Sequence, residues 1–270
     1  MNNFDINAFN QLLSTEYFGR NILYKQSTDS TMDDAREALS QSSIKELHGS
    51  VFISDEQIKG RGRGQKNWTS NQNAGIYTTF LMQHNNQPGN MLYMVSSLAI
   101  HDMIDELLDI KTEIKWPNDI MHHGKKIVGI LIENILDSTN SASLVGMGIN
   151  LRNSDKLPSE FRNKSTDLEK IYKNELPRKE KFLSSLSINF EKRYYQSISN
   201  SHRLYDDWKI RVSTIGKNII AHTNRGALQG NVEDISNEGA IILIDKQGAK
   251  IEILDASIEP ELVPPAPMIV

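Results

Sequence analysis

Residues 55–68 read DEQIKGRGRGQKNW, a composition suited to a loop that folds around an anion. Gly60, Gly62 and Gly64 alternate with Arg61 and Arg63, Lys59 and Lys66 flank them, and no acid falls between the two lysines. Glycine bends tightly and lets backbone approach a ligand with no Cβ in the way. Guanidinium groups add permanent charge and forked donors that match carboxylate and phosphate oxygens. The same residues also suit a solvated basic loop or a nucleic-acid contact, so the segment alone does not name its ligand. Three other stretches combine hydroxyl, amide, lysine and glycine in the same economical way: DSTMDDA (29–35), KWPNDI (115–120) with KKIVGILIE (125–133), and GMGINL (146–151). Read locally, Ser30 or Thr31 is a helix cap, Lys125 and Lys126 are hairpin lysines, and Trp68 is as much a core residue as a stacking platform. His122 and His123 are adjacent, so a strand sends them to opposite faces. With no third ligand at metal spacing, they read as hairpin surface residues. No Gly-x-x-x-x-Gly-Lys-Ser/Thr phosphate loop occurs, so that device for holding a nucleotide is absent.

The whole chain narrows the choice. Its 270 residues carry a net charge of −4, so the positive charge of the glycine loop is local. That balance argues against a general nucleic-acid or membrane-surface binder. There are no cysteines, which removes disulfides, thiolate catalysis and cysteine-based zinc sites together. The N-terminus, MNNFDINAFNQLLS, has no basic segment followed by an apolar one, and no apolar run approaches the roughly 20 residues of a membrane span. The expectation is a cytoplasmic protein with no membrane partner.

Hydrophobic periodicity supplies the frame that has to position these residues. It predicts a short helix over 6–14, a strand over 21–26 and a helix over 32–41, with Asp33 and Asp34 in its first turn where the helix dipole favours acids. Strands follow at 50–54 and 75–83, and Pro88 and Gly89 break the chain. A long helix covers about 91–108, with Met91, Met94, Val95, Leu98, Ile104, Leu107 and Leu108 at three- and four-residue spacing. KWPNDIMHH and KKIVGILIENI form a hairpin about Gly124, and 143–151 adds a strand. The segment 152–176 reads as irregular. Pro177 suits the first turn of a helix over 178–198, and a second helix covers 202–210. From 217 the pattern changes to short strands punctuated by Gly226, Gly230, Gly239 and Gly248, which indicates a small β-barrel or sandwich. The prolines of VPPAPMIV favour an extended tail.

In order and spacing, the four chemical segments resemble those of biotin–protein ligases (biotin–acetyl-CoA-carboxylase ligases). The resemblance runs from about residue 20 into the C-terminal module. It implies an α+β fold, with a mixed, mostly antiparallel sheet flanked by helices over 1–213 and a small SH3-like β module over 214–270. It implies that ATP and biotin, with Mg²⁺, form a mixed anhydride and pyrophosphate, and that biotin then passes to a lysine of a carrier domain of acetyl-CoA carboxylase or a related carboxylase. Such a carboxylate is ionised at neutral pH, so the chemistry asks for positioned cations rather than a general base.

By the same resemblance, Arg63, Lys126 and Asp119 are the catalytic residues. Ser30, Thr31, Gln57, Gly60, Arg61, Gly62, Arg63, Lys126 and Gly129 bind biotin. Arg63, Trp68, Lys115, Asn118, Lys126 and Asn150 bind ATP, and Asp119 either holds the metal or orients the incoming amine. Gly146 and Gly148 leave room for ligand, and the loop is expected to be mobile until ligand arrives. Two positions depart from the usual family pattern: Met32 where an asparagine is common, and Gly64 where a second arginine is common. About twenty residues precede the first strand, too few for a three-helix DNA reader, so a single-function ligase without nucleic-acid partners, monomeric or weakly dimeric, is expected. Lipoate or octanoyl transfer on the same fold, and a nucleic-acid-binding module, are the competing readings.

Overall fold

The computed structural model describes residues 3–84, 90–138 and 140–261. In chain order its elements are α1 (Ile6–Leu12), β1 (Ile22–Thr28), α2 (Thr31–Gln41), α3 (Ile44–Leu47), β2 (Ser50–Gln57), β3 (Gly75–Gln83), α4 (Met91–Leu108), β4 (Glu113–Lys115), β5 (Asp119–His122), β6 (Lys125–Ile135), β7 (Ala142–Asn150), α5 (Ser159–Arg162), α6 (Leu168–Tyr172), α7 (Lys179–Ser199), α8 (Ser201–Lys209), β8 (Asn218–Thr223), β9 (Gly226–Ile235), β10 (Ile241–Asp245), β11 (Lys250–Ile253) and β12 (Ser257–Pro260). Two sheets result. The larger has seven strands in the order β1-β2-β3-β7-β6-β5-β4, and the smaller has five in the order β11-β10-β9-β8-β12. Among the strand pairs of the described residues, only β1–β2 is parallel and the others are antiparallel. Parallel neighbours need a crossover, and α2 with α3 supplies it.

Strand alternation splits the large sheet into two faces. On one, Ile76, Phe80 and Met82 of β3 and Val145, Met147 and Ile149 of β7 pack beneath α4 and α7 in the main core, where the Phe80 and Phe190 rings lie 4.9 Å apart. Arg193 of α7 ties that layer together by pairing with Asp102 of α4 at 2.7 Å and Asp207 of α8 at 2.8 Å. On the other face, Phe52, Leu81 and Leu144 meet Met32, Ala35 and Leu39 of α2 in a smaller cluster. The α2 side covers only part of its face, and the chemistry lies in the part left open.

The C-terminal sheet is packed on the body, not merely tethered. Ile219, Val232, Ile241 and Leu243 belong to the main core. The Trp116 indole N–H donates to Gly239 O at 2.8 Å and the Tyr205 hydroxyl to Ile235 O at 2.6 Å.

The elements differ from the sequence reading in several places. The segment 152–176 contains α5 and α6, not irregular chain alone. The buried Asp167 carboxylate accepts the N–H groups of Ser154 (2.8 Å) and Lys170 (2.9 Å), which orders turns too short to show a periodic stripe. The four-residue α3 lay below the same threshold. The first leg of the expected hairpin is two strands, β4 and β5, joined by a turn holding a cis Trp116–Pro117 bond. His122 and His123 do not face opposite ways. His123 sits in the left-handed region at φ 46° and its ring lies 4.2 Å from that of His122. Pro88, Gly89 and the VPPAPMIV tail fall outside the described residues. Among the described residues, no helix is long and apolar enough to cross a membrane.

Candidate active site

Three glycines open a recess in the α2 face. Gly129 of β6 and Gly148 of β7 are cross-strand partners, and Gly146 pairs with Leu131 one step along. A Cβ on Gly148 would stand 2.4 Å from the Trp68 ring, one on Gly129 2.7 Å from it, and one on Gly146 2.9 Å from the Met32 sulfur. The Trp68 indole thus lies against bare sheet, which only glycine permits.

The recess has a polar end, built by the start of α2. Ser30 is the N-cap, its hydroxyl accepting from Met32 N, and Thr31 opens the helix. Gln57 Oε1 accepts from both Thr31 N (3.0 Å) and the Thr31 hydroxyl (3.1 Å), and the Thr31 and Thr79 hydroxyls share a bond of 2.8 Å. Ser30 and Thr31 are 2% exposed, so this is a desolvated cluster of neutral hydrogen-bonding groups. Arg61, Gly62 and Arg63 of the loop close the recess.

The glycine loop leaves β2 and is folded on itself, with Trp68 N–H donating to Gly60 O (2.9 Å) and Gly62 N–H to Lys66 O (2.7 Å). Gly60 is required there, since a Cβ would meet Trp68 O at 2.5 Å. Gly64 takes φ +60°, a conformation that an arginine at this position would adopt only with strain.

A second, larger recess lies on the other side of Trp68. Arg63, Lys66, Lys115 and Lys126 give it charge, Asn118, Asp119 and Asn150 line it, and Ala256–Ile258 of the C-terminal sheet form one wall. Lys126 pairs with Asp119 at 2.6 Å and holds its amine 5.3 Å from the Trp68 ring centre. A bulge places it there. Met121 pairs with Lys126 while Ile120 pairs with Val128, so Ile127 is an extra residue. Ile127 and Val128 are both 0% exposed in the main core, and Lys126 is turned back to the face of Gly129. The segment after β7 buttresses it: Lys126 N–H donates to Lys164 O and Thr166 N–H to Lys126 O, both at 2.9 Å. Asn150 Nδ2 donates to Thr166 O at 3.2 Å. Asn118 Nδ2 donates to Ile130 O at 2.8 Å, and its Oδ1 accepts from Arg63 at 3.3 Å. Burial is the main cause that pushes the Lys115 amine below its usual 10.5, opposed by Asp119 and reinforced by Lys126, Lys66 and Lys164.

The two recesses share Gly62, Arg63, Trp68, Asn118 and Lys126. Of the residues singled out in the sequence, Ser30, Thr31, Gln57, Arg61, Gly62 and Gly129 line the small recess. Lys115, Asp119 and Asn150 line the large one, and Gly60 lies in the loop behind. Sequence reasoning did not find Thr79, Leu157, Phe161, Ser165 or Ala256–Ile258. Thr79 carried a weak signal, one of two adjacent threonines in β3, and it is the one on the α2 side; the others stand in loops and short elements outside the four motifs. Among the described residues, no group of three or more histidines and acids is placed to hold a metal, and Asp119 is the single carboxylate lining either recess.

A glycine-opened sheet face, a basic loop across it and a cationic second recess together make up the candidate site. Residues 24–150 match the biotin/lipoate A/B protein ligase family. A bifunctional ligase/repressor BirA from Bacillus spizizenii is 31% identical over 252 residues, covering 92% of this chain and 76% of that protein. A biotin–[acetyl-CoA-carboxylase] ligase from Mycobacterium tuberculosis is 26% identical over 205 residues, covering 73% and 74% of the two chains. A biotin protein ligase from Aquifex aeolicus, solved in complex with biotin and ATP, superposes with a TM-score of 0.75 at 25% identity, over 90% of this chain and 100% of that one. The chain belongs to the biotin/lipoate A/B protein ligase family.

Proposed function

We propose that this chain is a biotin–protein ligase, which activates biotin with ATP to biotinyl-5′-AMP and transfers the biotin to a lysine of a carboxylase carrier domain. The observation that carries the reading is the shared wall: two recesses of different chemistry meet at Arg63, Asn118, Trp68 and Lys126. The small one suits biotin. A ureido group has one carbonyl and two N–H donors, and Ser30, Thr31 and Gln57 can answer both kinds. A dithiolane has no donor or acceptor to offer these groups, whereas a ureido group has both, which favours biotin over lipoate. The large one suits ATP, with Lys115, Asn118, Asn150, Trp68 and the walls from 157–165 and 256–258 around it.

In the first step a biotin carboxylate oxygen attacks the α-phosphorus and pyrophosphate leaves. Repulsion between the anions is the main obstacle, and at about 4 Å each cation can offset roughly 4 kcal/mol at an effective dielectric of about 20. Arg63 and Lys126, present on both sides of the junction, are the residues to do so. Asp119 fixes the Lys126 amine. Mg²⁺ commonly binds through one or two carboxylates and substrate phosphates, and Asp119 is the residue here that would hold it, with charge neutralisation as its contribution. In the second step the carrier lysine, as the neutral amine, attacks the anhydride carbonyl, AMP leaves, and the nitrogen gives up a proton to solvent as the amide forms. Closure of the loop keeps water from the anhydride.

On this reading residues 1–213 form the catalytic unit and 214–270 a β module that walls the nucleotide site. The net charge of −4 favours a protein partner over nucleic acid. The reading also takes the chain as a cytoplasmic monomer or weak homodimer. Calorimetry tests the reading. Biotin and ATP bind with coupled affinity, lipoate does not displace biotin, and random RNA binds weakly at physiological salt. Equal binding of lipoate and biotin would remove the case for biotin.

A further inference from the structure

Three of the glycine loop's four cations pair with acids in three different places. Lys59 pairs with Asp29 at 2.7 Å, Arg61 with Asp33, and Arg63 with Asp255 beside the C-terminal sheet. The Arg61–Asp33 contact is bidentate: Nη1 donates to Oδ2 and Nη2 to Oδ1, both at 2.7 Å. This fork-to-fork geometry fixes direction as well as distance. Asp33 stands in the first turn of α2, the helix whose start forms the polar end of the small recess, and Arg61 lines that recess. Arg36 holds Asp33 from behind at 3.4 Å and itself pairs with Glu133 of β6. A chain of charges thus runs from the loop across α2 to the sheet.

We propose that Asp33 is a positioning residue, which through Arg61 holds the glycine loop across the mouth of the small recess and sets how fast biotin leaves; the proposal rests on the biotin reading above. The loop's internal bonds, Trp68 to Gly60 and Gly62 to Lys66, fix its shape and not its place. Gly60 and Gly62 flank Arg61 and offer no side chain to hold. Lys59 acts at the loop's root, and the Asp255 side chain is 84% exposed. Arg61–Asp33 joins the middle of the loop to the recess's own helix. With side chains 35% and 45% exposed, the pair is only modestly strong, as a clasp that opens for each substrate has to be.

The test is the release of labelled biotin from the full chain, chased with unlabelled biotin. Asp33→Asn is expected to speed release about five- to tenfold and to raise KM for biotin while kcat for adenylate formation changes less than about twofold. Asp34→Asn removes a carboxylate from the same helical turn, but its partners are Lys25 and Thr28, so it controls for the helix dipole. It is expected to leave release unchanged. Arg61→Gln breaks the clasp from the loop side, without touching α2, and reproduces the fast release even where Asp33→Asn folds poorly. The exchanged pair Asp33→Arg with Arg61→Asp slows release again. Wild-type release from both Asp33→Asn and Arg61→Gln, or equal acceleration by Asp34→Asn, overturns the proposal. A wild-type chain that holds no biotin overturns the reading of the recess, and the proposal with it.

Discussion

The two recesses are built in opposite ways. The small one rests on rigid elements, a helix N-terminus and the centre of a seven-stranded sheet, and answers its ligand with buried neutral groups. The large one is assembled from loops, a bulge and a strand from the far end of the chain, and answers with cations. Neutral recognition needs fixed geometry, because an amide or hydroxyl misplaced by an ångström forms no bond. Charge acts over longer distances and tolerates looser walls. On the proposed function, specificity belongs to the sheet, and rate to the side built from loops.

The junction is where this contrast breaks first. Lys126→Ala and Arg63→Ala are each expected to slow adenylate formation by about 10³-fold in single-turnover measurements, with the melting temperature little changed. Near-wild-type rates would show that charge at the shared wall is not what drives the step. Next in size, Gly148→Ala pushes a methyl into the Trp68 ring and is expected to weaken biotin binding by roughly 10- to 100-fold by calorimetry. Its effect on ATP should also be visible, because Trp68 borders both recesses; biotin-only weakening would mean the wall is not shared.

Thr79→Val sharpens the contrast by removing a neutral partner behind Thr31. It is expected to weaken biotin by about three- to tenfold and leave ATP binding unchanged. Lys115→Met does the reverse, raising KM for ATP by roughly tenfold while biotin binding holds. It also carries a pH signature. Burial depresses the Lys115 amine below 10.5 in the folded chain, so charging it there costs stability. That cost is full below the depressed value and fades as the pH climbs from there towards 10.5. Lys115→Met is therefore expected to melt no lower than wild type at pH 7, with any advantage shrinking by pH 10. A lower melting temperature at pH 7 would place Lys115 among the stabilising residues instead.

The sequence was most informative where period and burial coincide. The β-branched and aromatic run of β3 and the stripe on α4 marked the sheet and its inner helix, and the four motifs supplied most of the lining. It was silent where a local irregularity decides the outcome. A strict two-residue period from Gly129 puts Ile127 and Lys125 on the site face. The extra residue at Ile127 puts Lys126 there instead, and nothing in KKIVGI announces a bulge. Asp33 read as a dipole-favoured acid and proves to be the partner of Arg61. Ala256–Ile258 could not be linked to the site from sequence, because their contribution comes from how the C-terminal sheet packs on the body.

ATP–pyrophosphate exchange, run with purified chain and magnesium and with biotin present or absent, probes the junction most directly. Exchange that requires biotin, survives Thr79→Val and disappears in Lys126→Ala is the predicted result. Exchange that proceeds equally without biotin, or persists in Lys126→Ala, would contradict the meeting of carboxylate and α-phosphate at that wall.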